Sequence, residues 1–81
     1  MVALGPVIAQ LYNLTPAEAD LAALLVQGRA LEDAANELSI TRNTARTHMK
    51  RIFSKTSTHR QGELISLVLS GPAVLRFGAL G

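Results

Sequence analysis

The feature that most constrains this chain is Thr41 to Lys55, TRNTARTHMKRIFSK, which holds five cations (Arg42, Arg46, Lys50, Arg51 and Lys55) and no acid. Apolar residues recur at Ala45, Met49, Ile52 and Phe53, the spacing of one side of an α-helix. Arg42, Arg46 and Lys50 fall four apart and share another side, with Asn43, Thr47, Arg51 and Ser54 beside them. A helix of this kind packs by one side and offers guanidinium, ammonium, amide and hydroxyl groups on the other. Those groups match the acceptor-rich base edges and flanking phosphates of a DNA major groove. A plain solvated cationic surface is the simpler reading, but such surfaces interleave acids, and none interrupts this one.

The net charge of +2 conceals the asymmetry. Residues 1–40 set five acids against Arg29 alone, a balance of −4, whereas residues 41–60 carry six cations and no acid. Arg76 and Glu63 cancel in the remainder. A basic block beside an acidic half is the electrostatic footprint of a surface that meets a polyanion. With 81 residues, 48% of them apolar, the chain is one small domain around one modest core. It has no cysteine, hence no disulfide framework and no thiolate metal site. No apolar run reaches the roughly 18 residues of a membrane span, and Met1 to Ala9 lacks the cationic lead of a signal peptide. The expectation is a cytoplasmic protein without a membrane partner.

In chain order, residues 1–13 read as a linker or expression remnant, with room for a short helix from Pro6 to about Tyr12. Thr15, Pro16 and Glu18 form the first firm signal: an N-cap, a proline at the first helical position and a capping-box acid. The helix they open runs to about Gln27, with Ala17, Leu21, Leu24, Leu25 and Gly28 as its buried stripe, and Gly28 as a left-handed stop. A short second helix fits Leu31 to Leu38, apolar at Leu31, Ala34, Ala35 and Leu38. It lacks a hydroxyl cap because Ala30 precedes it, so its first turn is expected to fray. Ser39-Ile40-Thr41 is a tight link, Ile40 a hydrophobic pin and Thr41 the cap of the basic helix, which ends near Lys55 or Thr56. Thr58 to Gln61 repeats the capping-box pattern and opens a last helix that Gly71-Pro72 ends. Leu64, Ile65, Leu67, Val68 and Leu69 cover more than half of that helix, more than a small domain buries by itself. Residues 71–81 form an apolar tail without clear period.

Leu14-Thr15-Pro16-x-Glu18, Gly28, Ala35-x-x-Leu38-x-Ile40, Thr44-x-Arg46-x-His48 and Ile52-x-x-Lys55 carry a family likeness. The stretch from Leu14 to Leu69 resembles the LuxR-type (GerE-like) helix-turn-helix DNA-binding domain of bacterial transcription regulators. The resemblance implies an all-α, four-helix bundle over residues 14–70, the output domain at the C-terminal end of a longer regulator. Its third helix would enter the major groove, with Arg46, Thr47 and Lys50 meeting bases and Arg42, Asn43, Thr44 and Arg51 meeting the DNA backbone. Its fourth would join two copies through Leu64, Ile65, Val68 and Leu69. The implied partners are double-stranded DNA, a second copy of the chain and RNA polymerase, with no cofactor, metal or small molecule. The chain departs from the family at Ala30, Ala34 and Ala45, and at Ser39 and Ser57, where glycine is usual. Ser39 and Ser57 are therefore expected in left-handed conformations, each at a cost of roughly 1 kcal/mol relative to glycine.

His48 and His59 stand eleven apart with no acid or cysteine between them, which is not the spacing of a zinc site. His48 reads as a half-buried structural residue or a phosphate donor, and His59 as a solvated residue in the first turn of the last helix. No nucleophile is paired with a base, and the acids cluster away from both histidines, so no catalytic residue is nominated. Two other functions compete: a sigma-factor-like promoter-reading domain, and a protein–protein dimerisation module that never meets DNA.

Overall fold

The computed structural model describes residues 4–72, and the reading of residues 73–81 as an apolar tail lies outside them. The described residues form five α-helices and no strand: α1 (Leu4–Tyr12), α2 (Pro16–Val26), α3 (Leu31–Glu37), α4 (Arg42–Thr56) and α5 (Gln61–Ser70). The fold is all-helical as expected, with one helix more than the four anticipated. The extra helix is α1, which begins two residues before Pro6 and ends at Tyr12. Pro6 is tolerated because it sits in the first turn, where its missing N–H has no intrahelical partner to lose. Val7 and Ile8 bury themselves in the core, with α1 packed on α2.

The start of α2 follows the sequence. The Thr15 hydroxyl accepts from the Glu18 N–H at 3.2 Å, and the Glu18 carboxylate accepts from the Thr15 N–H at 3.0 Å. Its buried face does not follow. Ala17 and Gly28 are exposed, while Ala19, Leu21, Ala22, Leu24, Leu25 and Val26 are all buried. The reason is that α2 packs against each of the other four helices, so it needs interior surface around most of its circumference rather than one stripe.

One device closes the first four helices. Asn13, Gly28, Ser39 and Ser57 have φ of 57°, 89°, 57° and 56°, the left-handed region. The amide that follows each one reaches back five residues: Leu14 to the carbonyl of Ala9, Arg29 to Leu24, Ile40 to Ala35 and Thr58 to Phe53, at 3.0, 3.1, 3.0 and 3.0 Å. This is the Schellman closure, which satisfies a terminal carbonyl and turns the chain. Ser39 and Ser57 adopt the strained conformation the sequence implied. Asn13, which was not singled out, uses the tolerance asparagine has for this region. Ser39→Gly and Ser57→Gly are each expected to raise stability by about 0.5–1 kcal/mol, read as a higher urea midpoint at unchanged slope. A lower midpoint in both variants would show that the serine side chains contribute more than their backbone strain costs.

The start of α5 corrects the sequence reading. No capping box forms at Thr58, whose buried hydroxyl is bonded to that of Thr56 at 2.8 Å, while Thr56 donates to the carbonyl of Ile52 at 2.8 Å. The helix begins at Gln61 after an Arg60 that supplies no side-chain cap, so His59 precedes α5 instead of lying in its first turn. His59 is exposed, and its N–H donates to the Glu63 carboxylate at 2.6 Å. Gln61 ties α5 to the end of α2, its Nε2 donating to the carbonyls of Leu25 and Arg29, each at 2.9 Å. Of the four residues assigned to a dimer contact, Leu64 and Val68 are each 1% exposed and belong to the protein's own core. Ile65 is half-buried and Leu69 is 58% exposed, so these two alone of the four retain accessible surface.

Candidate nucleic-acid interface

The sequence of α4 fixes its orientation. Ala45, Ile52 and Thr56 are buried and Met49 and Phe53 half-buried, which seats one side against α2 and α3. On α3, which packs on both α2 and α4, Ala34 and Ala35 are small and fully interior. Ile40, half-buried, packs on the core from the link, as its role of pin required. Thr41 is extended and its hydroxyl accepts from the Thr44 N–H at 3.1 Å, capping α4; α3, preceded by Ala30, has no side-chain cap.

With the inner side committed, Arg42, Asn43, Thr44, Arg46, Thr47, Lys50 and Arg51 are all exposed. Every residue the sequence nominated for base or backbone contact therefore stands on the outward side of α4. Two of their hydroxyls are already engaged. Thr44 Oγ1 accepts from the Thr41 hydroxyl at 2.9 Å, and the Thr47 hydroxyl donates to the backbone carbonyl of Asn43 at 3.1 Å. His48 is half-buried, and its Nδ1 lies in the interior without a hydrogen-bond partner.

The cations divide cleanly. Arg29 pairs with Glu37, Lys55 with Glu18 at 2.7 Å, and Arg60 with Glu63 at 3.9 Å. Among the described residues, Arg42, Arg46, Lys50 and Arg51 are the cations with no acidic partner. Lys55, the fifth cation of the segment, turns away from the basic face to the capping-box carboxylate of α2. Nothing in the local pattern announces that contact, since the two residues lie 37 apart in the chain. The Glu18 residue is only 1% exposed. Burial alone would raise its carboxyl pKa. The hydrogen bond from Lys55, then the Thr15 amide, the Lys55 charge and the Thr15 side chain together outweigh burial and hold it below its ordinary 4.5.

The four free cations sit on a helix with no acid in its first turn, and Arg42 is its first residue. The amino end of a helix already carries partial positive charge from its unpaired amides. The outer face of α4 is therefore a positive surface without acidic compensation among the described residues. Such a surface attracts an approaching anion. No helix among the described residues is long and apolar enough to cross a membrane.

The chain is similar to proteins already grouped together. Residues 12–68 match the family described as "Bacterial regulatory proteins, luxR family". The chain is also 37% identical over 65 residues to the transcriptional regulatory protein MctR of Rhizobium johnstonii, an alignment covering 80% of this chain and 30% of that protein. The chain thus spans about 30% of the length of the curated relative it matches. No solved structure matches it.

Proposed function

Because the chain belongs to the luxR family of bacterial regulatory proteins, we propose that it binds double-stranded DNA sequence-specifically as the output domain of a longer cytoplasmic transcription regulator, with α4 in the major groove. One observation carries the reading: among the described residues Arg42, Arg46, Lys50 and Arg51 have no acidic partner, while Arg29, Lys55 and Arg60 each have one. Uncompensated cations confined to one exposed helix face are what a phosphate backbone neutralises. In this reading Arg46, Thr47 and Lys50 face base edges, and Arg42, Thr44 and Arg51 hold the helix in register against the two strands. Two copies meet through the surface of α5 left at Ile65 and Leu69, which would place two α4 helices on a two-fold-related site. RNA polymerase is the partner such a regulator would recruit or obstruct.

The test is titration of a fluorescent duplex at a series of salt concentrations. The two phosphate-neutralising cations, Arg42 and Arg51, predict that the logarithm of the binding constant falls against that of salt concentration with a slope of roughly −2 per bound chain. Binding that ignored salt would remove the electrostatic basis of the proposal. Sedimentation of the free and DNA-bound chain separates this reading from a module that only pairs with itself.

A further inference from the structure

The exposed arc of α4 has a centre and two flanks. Successive residues turn by about 100°, so the direction opposite the buried line of Ala45, Ile52 and Thr56 passes among Asn43, Thr47, Lys50 and Ser54. Arg46 stands toward one edge of that arc and Arg51 toward the other. Asn43, grouped by family resemblance with the backbone contacts, therefore lies on the outermost line beside Lys50. It is also the second residue of α4, and residues at the amino end of a recognition helix are those that reach base edges.

The chemistry of Asn43 and of Thr47, one turn on, is narrow. The Asn43 carboxamide is exposed and makes no hydrogen bond among the described residues, so it offers one donor and one acceptor side by side. Thr47 has given its only proton to the Asn43 carbonyl at 3.1 Å. What remains on Thr47 is a methyl group and a hydroxyl oxygen that only accepts. Guanine presents two acceptors, N7 and O6, and suits neither side chain. Adenine presents an acceptor at N7 next to a donor at N6, the complement of a carboxamide, and thymine presents a methyl.

We propose that Asn43 and Thr47 act together as a reader of A·T base pairs, Asn43 pairing with the N7 and N6 edge of adenine while the Thr47 methyl packs on the C5-methyl of a thymine. This inference rests on the DNA-binding reading above and adds Asn43 to the residues that determine specificity. Arg46 and Lys50, donors only, supply the complementary preference for guanine acceptors.

The experiment selects duplexes from a random pool with the 81-residue chain and with Asn43→Ala, Thr47→Ser and Thr47→Val. The selected duplex is then titrated with one adenine replaced by 7-deaza-adenine, or one thymine by uracil. Both positions changed are exposed, and unaltered helical circular dichroism confirms that each variant is folded. The unaltered chain should fix an A·T position and lose about tenfold in affinity on either base change. Asn43→Ala should become indifferent to the loss of N7, and Thr47→Ser to the loss of the thymine methyl, whereas Thr47→Val keeps the preference. Specific binding whose selected sites are the same for Asn43→Ala and Thr47→Ser as for the unaltered chain would overturn this inference and leave the DNA reading standing. Absence of any salt-dependent duplex binding would overturn both.

Discussion

Lys55→Met is expected to destabilise the fold by about 2–3 kcal/mol, although the lysine lies on a helix whose other cations are dispensable for stability. Its ammonium donates to Glu18 Oε1 at 2.7 Å, and the glutamate side chain is 2% exposed while that of lysine is 33% exposed. Removing one member of a buried ion pair leaves the other charged in the interior, which costs about 3–5 kcal/mol when both are enclosed. Here water reaches the lysine side, so the expected cost falls at or below the bottom of that range. The Thr15 N–H would remain as a partner of the carboxylate, at 3.0 Å, and cannot replace the lost charge.

The same pair sets an acid limit. The folded-state pKa of Glu18 lies below its ordinary 4.5, so the stabilisation is complete above the unfolded value and is lost as pH falls through the folded one. Without Lys55, its hydrogen bond and its charge no longer lower the Glu18 carboxyl pKa, so that pKa rises and the loss begins at higher pH. Glu18→Gln keeps an acceptor for the Thr15 amide, because glutamine also serves in a capping box, yet removes the titrating group. Urea denaturation at several pH values, on the unaltered chain and both variants, should show an acid-dependent decline that Lys55→Met shifts upward and Glu18→Gln flattens. Equal midpoints for Lys55→Met and the unaltered chain at neutral pH would show that the pair contributes nothing to the fold.

What the sequence disclosed and what it withheld divide along a physical line. Features set within four or five residues were legible: the Thr15 capping box, the Thr41 cap, the end of α4 at Thr56 and the outward face of α4, whereas the left-handed Ser39 and Ser57 followed from the family resemblance. Each depends on local backbone chemistry or on helical period. Features set by a neighbour distant in the chain were not legible. The wide burial of α2 comes from four helices surrounding it, and no period within α2 encodes their number. Thr58 resembled an N-cap until Thr56 engaged its hydroxyl, and Gln61 was taken into the α2 terminus. Lys55 carried the same charge as Lys50, and only the position of Glu18 in space separates a structural cation from a free one. The candidate interface was thus readable as a face, while the partner that engages Lys55 required the fold.

That separation gives the sharpest functional test. Replacing Arg46 and Lys50 together by alanine is expected to reduce preference for the selected sequence over random duplex by about 100-fold or more. Each base-edge contact discriminates by about 1–3 kcal/mol, and 1.4 kcal/mol is tenfold. Residual binding should remain, because Arg42 and Arg51 still neutralise phosphate. Arg51→Ala alone should behave differently, weakening all duplexes alike and making the salt slope shallower by about one unit. Misfolding cannot mimic this pattern. Arg42, Arg46 and Lys50 follow one another at a spacing of four, and like charges so spaced repel by about 0.2–0.5 kcal/mol per pair. The double variant should therefore be no less stable than the unaltered chain, and slightly more stable at low salt. A thermal melt run beside the binding titration settles the point: lost discrimination at undiminished stability places recognition on these two side chains, whereas discrimination retained by a folded double variant would move the reading surface away from the outer face of α4.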